Sequence, residues 1–268
     1  MIKELIGQIY LDKTSGNNRL ERIWKLAQID FKKRYYNDKL GVLWALLNPL
    51  LQVSIYYFVF KMVMQRGEDD FALFLFVGLV IWTTFMMGTK QGINIFKLKR
   101  YLIENIQFNK IDLFLSHILS VFMGFCFNLG AYFAIAVIYG IKFDFLYMLM
   151  TLILIILIIF VNILGVCLIL STFSIFLKDI DHIWDFTLLC GFWTAGIFFP
   201  IEKIIEKFPV IIYLNPMLGL IDNARRVLMY KTPIDWGIMS INLIQGIGFL
   251  ALGLFVFYKY SGKAIEKL

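Results

Sequence analysis

Apolar residues gather into six long runs along the chain, roughly 41–64, 72–93, 111–139, 145–177, 183–200 and 236–258. A helix needs about 20 mainly apolar residues to cross a hydrocarbon core of about 30 Å. Each run approaches or exceeds that length, so the pattern predicts six membrane-spanning helices. The third and fourth runs, at about 29 and 33 residues and 1.5 Å per residue, should tilt or project beyond the bilayer. The fifth is the shortest, about 18 residues by the same spanning rule, and ends at Pro200.

Two segments depart from this pattern. In 19–36, Leu20, Ile23, Trp24, Ala27, Phe31 and Tyr35 recur at three- and four-residue steps with charges between them. That is an amphipathic helix. Its basic residues, rings and place before the first span suit the cytoplasmic membrane interface; the same stripe would also suit a partner protein. In 200–235, Ile201, Ile204, Ile205 and Phe208 form one stripe and an apolar stretch follows, broken by Pro200, Pro209, Pro216 and Pro233. Neither half reaches spanning length. Pieces of this kind are either re-entrant helices covered by protein or an interfacial cap over the bundle.

Charge orients the chain. Lys3, Lys13, Arg19, Arg22, Lys25, Lys32, Lys33, Arg34 and Lys39 precede the first span. Lys97, Lys99, Arg100 and Lys110 lie in the second loop, Lys178 in the fourth, and Lys259, Lys263 and Lys267 in the tail. These segments share one side in a six-span topology and hold most of the 26 Lys and Arg residues. The first loop, opposite them, is acidic at Glu68, Asp69 and Asp70 against Arg66. By the positive-inside rule both termini are cytoplasmic.

Composition agrees. The chain is 60% hydrophobic and 17% charged, with mean hydropathy +0.76. An ordinary soluble domain, a disordered chain and a disulfide scaffold are excluded. Six spans leave little of the 268 residues for a soluble domain. The net charge of +7 follows from the cytoplasmic loops, so nucleic acid is not an expected partner. Cys126, Cys167 and Cys190 sit in apolar runs and read as small hydrophobes. No cleavable signal is expected at the start, so the first span should direct insertion.

Chemical motifs are sparse. There is no G-x-x-x-x-G-K-[S/T] phosphate loop, no H-E-x-x-H, no C-x-x-C and no G-x-S-x-G. No metal or catalytic residues are therefore expected. His117 can pack or hydrogen-bond within the third span, and His182 belongs to a short cytoplasmic loop. Lys61, Lys90 and Asp185 stand near span ends, which disfavours an ion relay. The spans do carry rings and amides. Trp44, Asn48, Gln52, Tyr56 and Phe60 recur every four residues and wind slowly along one side of the first span. Trp82 in the second span and Phe192, Trp193, Phe198 and Phe199 in the fifth add rings. Amides prefer a bundle interior or a wet path, and aromatic planes stack on sugar rings. Core packing or interfacial belts explain the same rings.

The order of these features resembles a known family. RYYNDKLGVLWALLNPLLQVSIYYFVF (34–60), the basic loop KLKRYLIENIQFNKIDLFLSHIL (97–119), LKDID (177–181) and FFPIEKIIEKFPVIIYLNPMLGLIDNARRVLM (198–229) together resemble the permease subunit of type-2 ABC exporters for polysaccharides, the O-antigen, capsule and teichoic acid group. The resemblance covers about 20–260. It implies an all-α integral membrane fold in which 1–268 is a single transmembrane domain, with 1–40 as its cytoplasmic N-terminus. It places the chain in the bacterial cytoplasmic (inner) membrane. Two copies would form a channel, powered by two copies of a separate P-loop ATPase that bind ATP and Mg; this chain itself binds no cofactor and is not an enzyme. The substrate would be a polysaccharide on undecaprenyl pyrophosphate.

The resemblance also assigns roles. The row Trp44, Asn48, Gln52, Tyr56 and Phe60, with Trp82, Phe192, Trp193, Phe198 and Phe199, would line the channel. Lys33, Arg34 and Tyr35 would meet the lipid pyrophosphate, although Lys32–Arg34 suit anionic lipid equally well. A coupling helix at 95–106, through Lys97, Lys99, Arg100 and Glu104, would dock on the ATPase, with Lys178 and Asp179 as a smaller contact. The 200–230 pieces, through Ile204, Phe208, Tyr213, Asn215 and Pro216, would form an outer gate. Arg225 and Arg226 would meet phosphate or headgroups there. Three alternatives differ in what they require: a type-2 ABC permease for a small molecule or lipid, a membrane enzyme of lipid-linked sugar metabolism, and an assembly subunit that transports nothing.

Overall fold

The computed structural model describes residues 19–35, 40–41, 43–65, 70–105, 109–140 and 145–266. Lys3, Lys13, Lys39, Arg66, Glu68, Asp69 and Lys267, used above to orient the chain, lie outside them. The described residues are helical with turns between. We number the helices α1 (Arg19–Tyr35), α2 (Leu43–Tyr57, ending in a wider π-type turn over Phe58–Val63), α3 (Phe71–Ile93), α4 (Ile95–Leu98), α5 (Arg100–Asn105) and α6 (Ile111–Ile138). There follow α7 (Phe145–Phe173), α8 (Ile180–Thr194), α9 (Ile201–Lys207), α10 (Ile211–Leu214), α11 (Pro216–Arg225, extended by a π-type turn over Arg226–Tyr230) and α12 (Trp236–Glu266).

Five helices are long and apolar enough to span a membrane: α2, α3, α6, α7 and α12. The protein is a multi-pass membrane protein. α3 is the central element, with nearly all of its length buried. α7 and α12 make the most extensive pairing. A Cβ on Gly165 would collide with the backbone of Phe249 and Leu250, and one on Gly253 with that of Gly165. Small residues let these backbones touch, as helices packing in lipid require.

The fifth apolar run does not form a spanning helix. α8 has 15 residues, about 22 Å at 1.5 Å each, short of a hydrocarbon core. It stops because Gly196 takes φ +76°, the left-handed conformation that ends helices. The chain nonetheless follows α3 along its whole depth. Trp184 lies beside Phe85 and Thr89, Gly191 beside Trp82, and Ile197 beside Gly78. Phe199 reaches Phe60, which touches Phe71 at the far end. This stretch is helix up to Thr194 and irregular backbone from Ala195 to Pro200.

α1 forms the expected amphipathic helix, but its apolar stripe is covered by α6. Ile23, Leu26, Ala27, Ile29, Phe31 and Tyr35 are buried. Arg19 and Arg22 both reach the fully buried Asp112 at 2.8 Å, and Phe31 stacks on Phe127 further along α6. The first half of α6, from Asp112 to Phe127, thus gives this stripe a protein partner. Leu20 and Trp24 remain exposed.

The 200–235 segment divides. α9 and α10 sit at the end of the bundle near Phe60 and Phe71, with most side chains exposed. α11 is enclosed by α3, α7 and α12.

Candidate functional site

Seven of the ten rings and amides singled out in the sequence meet in one aromatic cluster. Tyr56 and Phe60 of α2 both touch Phe198, with centroids 5.0 Å apart in each case. Phe198 also packs on Phe192 and Trp193 at 5.4 and 5.2 Å, and Phe199 lies edge-on to Phe60. Trp82 touches Phe192 but is itself 2% exposed, so it is a floor rather than a surface. Helical spacing brings Tyr56 and Phe60 to one side of α2, and the break after Thr194 turns Phe198 and Phe199 back against them.

The other three lie elsewhere. Trp44 packs with Phe31, Tyr35, Ala45 and Met123 at the α1–α2–α6 junction. Asn48 is exposed and Gln52 half-buried. The four-residue row therefore winds off the cluster toward its start, as its slow rotation around α2 requires.

Four of its members, Phe60, Trp193, Phe198 and Phe199, form one wall of a cavity of about 1280 Å³, with Tyr56, Trp82 and Phe192 packed behind them. Phe71, Phe74, Thr194 and Pro200 continue the wall; Ile204, Phe208 and Ile211 come from α9 and α10. Asp70, Lys203, Glu206 and Lys207 supply charge at its rim. Small-molecule clefts usually run to about 300–1,000 Å³. This space is larger than that range, and both rings and charged side chains line it.

Of the other residues expected to form a gate, Tyr213 is exposed at the same end. Asn215 and Pro216 are buried and shape the backbone. The Asn215 amide donates to the Gly191 carbonyl at 2.9 Å and to Thr194 Oγ1 at 3.0 Å. Its oxygen accepts from the Met217 N–H at 3.1 Å, so it caps α11 while holding the end of α8. Pro216 occupies the first turn, where its missing N–H costs no bond.

Arg225 overturns the expectation that it meets phosphate or headgroups. It is 3% exposed, and its guanidinium donates to the carbonyls of Phe74, Gly196 and Ile197 at 2.6–3.2 Å while lying over the Phe74 ring. Thus Arg225 satisfies the carbonyls left open where α8 ends. Arg226 instead pairs with Asp222 at 2.7 Å. The sequence carried a signal: Leu218, Ile221 and Arg225 share a helical face by i, i+3, i+7 spacing, which sets the arginine on the apolar stripe.

At the opposite end, the 95–106 segment is two short helices, α4 and α5, with residue 106 outside the described part. Lys97 lies 3.9 Å from Asp181, and the Asn94 amide donates to Asp181 at 3.2 Å. The two expected docking pieces are thereby adjacent. Lys97, Arg100 and Glu104 face outward, Arg100 bonded to Glu104 at 2.6 Å, and Lys178 and Asp179 are exposed beside them. Lys99 does not join that surface. It is buried against Asp30 of α1 and Ser116 of α6. Burial pulls its ammonium below the usual lysine range, and Asp30 pushes it back up.

Of the expected pyrophosphate contacts, Lys33 is exposed and Arg34 half-buried, 5.9 Å from the Tyr35 ring centre. Tyr35 is buried against Phe31. His117 bonds the Gly88 carbonyl at 2.8 Å, and His182 lies exposed in the first turn of α8.

The ABC-2 type transporter family matches residues 21–229, and the chain belongs to that family. It is a transporter membrane subunit, not itself an enzyme. Two Klebsiella pneumoniae proteins named O-antigen export system permease protein RfbA are 28% and 29% identical to it; each alignment covers 89% of this chain and 92% of the relative. A Myxococcus xanthus protein of the same name is 26% identical over 75% of this chain and 78% of its own length.

Proposed function

We propose that this protein is the permease half of an ATP-driven exporter that moves a polysaccharide on undecaprenyl pyrophosphate across the bacterial cytoplasmic membrane. Two copies form the channel, and two copies of a separate P-loop ATPase supply the energy with their own ATP and Mg. Both termini are cytoplasmic. The six passages are the five long helices and the α8 segment, with α11 as a re-entrant piece. The observation that carries this reading is the aromatic wall of Phe60, Trp193, Phe198 and Phe199 opening on a cavity larger than a small-molecule cleft. The named function of the relatives supports it.

In this reading glycan rings slide over the aromatic faces. Such contacts are sequence-tolerant and individually weak, so a long chain can pass without being trapped. Lys33 and Arg34 attract the pyrophosphate at the cytoplasmic mouth, Lys97, Arg100, Glu104, Lys178 and Asp179 dock the ATPase, and α9 and α10 gate the outer end.

The test is replacement of Trp193 by Ala in cells whose only copy is the variant. Surface polysaccharide should fall while the chain still co-purifies with its ATPase. Intact surface glycan together with altered resistance to small toxic compounds would replace this reading with the small-molecule permease. Turnover of a lipid-linked sugar by the purified chain alone would replace it with the enzyme.

A further inference from the structure

Lys99 is placed where a docking residue does not belong. Ile95 and Phe96 anchor α4 in the core, while the residues flanking Lys99 look outward: Leu98 is 74% exposed and Tyr101 60%. Lys99, between the two short helices, points inward. Its Nζ is 2.5 Å from Asp30 Oδ2 and 3.1 Å from Ser116 Oγ. One ammonium thus joins three elements: the 95–105 segment, α1 and α6.

The other ion pair to this segment is weaker. Lys97–Asp181 is 3.9 Å long, with both side chains more than a third exposed. Solvated pairs of that kind hold little. The Lys99–Asp30 pair is short, with 11% and 18% of its side chains exposed. Separating a buried pair leaves each charge without water or partner, so the pair moves as a unit. A displacement of the 95–105 segment is therefore passed to α1. From there Phe31 and Tyr35 pack on Trp44 and Ala45 at the start of α2, the helix that carries Tyr56 and Phe60.

We propose that Lys99 is a positioning residue: a strut that carries movement of the exposed 95–105 segment through Asp30 and Ser116 into α1, α6 and the aromatic wall. The proposal rests on the reading that the outer face of this segment docks an ATPase.

The test uses the full complex of this chain with its ATPase. Lys99→Met, Asp30→Asn and the exchanged pair Asp30→Lys with Lys99→Asp are compared at equal membrane abundance. Three quantities are read: ATPase retained on purification, ATP hydrolysis, and surface polysaccharide. Each single variant should keep the partner and its hydrolysis while export falls about tenfold, an ordinary size for a coupling between sites. The exchanged pair should restore export, because the strut needs opposite charges and not a particular order of them. If Lys99→Met fails to accumulate, Asp30→Asn, which keeps the shape of the side chain, carries the same three readouts.

Unchanged export in the single variants overturns the proposal. So does an exchanged pair no better than the singles, since the residues would then matter only for local packing. Single variants that lose the ATPase altogether also overturn it, because Lys99 would be acting in docking. A wild-type chain that retains no ATPase overturns the docking reading itself, and the strut with it; that result is distinct because it appears without any substitution.

Discussion

Replacing Arg225 with Met should loosen the passage between α8 and α9. The arginine donates to the carbonyls of Gly196 and Ile197, which lie just past the end of α8 where no further helical N–H follows. Losing the donor leaves two buried acceptors unpaired, at about 1–3 kcal/mol each. Loss of the contact over the Phe74 ring adds about 1–2 kcal/mol. Against this, removing a buried charge relieves several kcal/mol of desolvation. The net expectation is a loss of about 2–4 kcal/mol, read as a melting shift on the order of 5–10 °C. Cys167 provides the assay: it is buried, whereas Cys126 and Cys190 are exposed. In a Cys126→Ala/Cys190→Ala background, labelling of Cys167 by a thiol-reactive dye during heating reports opening of the bundle. Arg225→Lys should not rescue, because a point charge cannot serve the three carbonyls that the planar fork reaches. Full recovery with Lys, or no shift with Met, would refute the account of Arg225 as the group that closes the broken helix.

Four further substitutions probe other parts of the molecule. Gly165→Leu should force α7 and α12 apart and lower stability by at least about 2 kcal/mol in the same thiol assay, since backbone lies where the new side chain must go. Asp112→Ala removes the acceptor that ties Arg19 and Arg22 of α1 to α6; with both arginines partly exposed the cost should be about 1–3 kcal/mol, visible as faster tryptic cleavage within α1. Trp82→Ala should lower stability by about 3–5 kcal/mol as a core truncation, whereas Trp193→Ala, 55% exposed, should lower export and leave the melting temperature nearly unchanged.

Much of the architecture is legible along the chain because lipid burial is a local demand. Run length alone marks α2, α3, α6, α7 and α12, since an apolar segment of about 20 residues has few alternatives to a spanning helix. The three- and four-residue spacing marks α1 in the same way. Tyr56 and Phe60 read as one face of α2 for the same geometric reason. The fifth run misleads because hydropathy records where a segment is apolar, not whether its backbone stays helical. Gly196 interrupts it, and the open carbonyls need a donor distant in sequence.

What the sequence by itself determined, then, is everything set by neighbours within a turn or by exposure to lipid: the long helices, the amphipathic stripe, the basic and acidic loops, the absence of a phosphate loop. The tertiary structure decided which charged and amide groups are used up inside the protein. Lys99 meets Asp30 across 69 residues, Arg225 reaches Phe74 across 151, and Asn215 ties the end of α8 to the start of α11. A buried polar group must find its partner wherever packing brings one, and helix periodicity carries no information about contacts at that range.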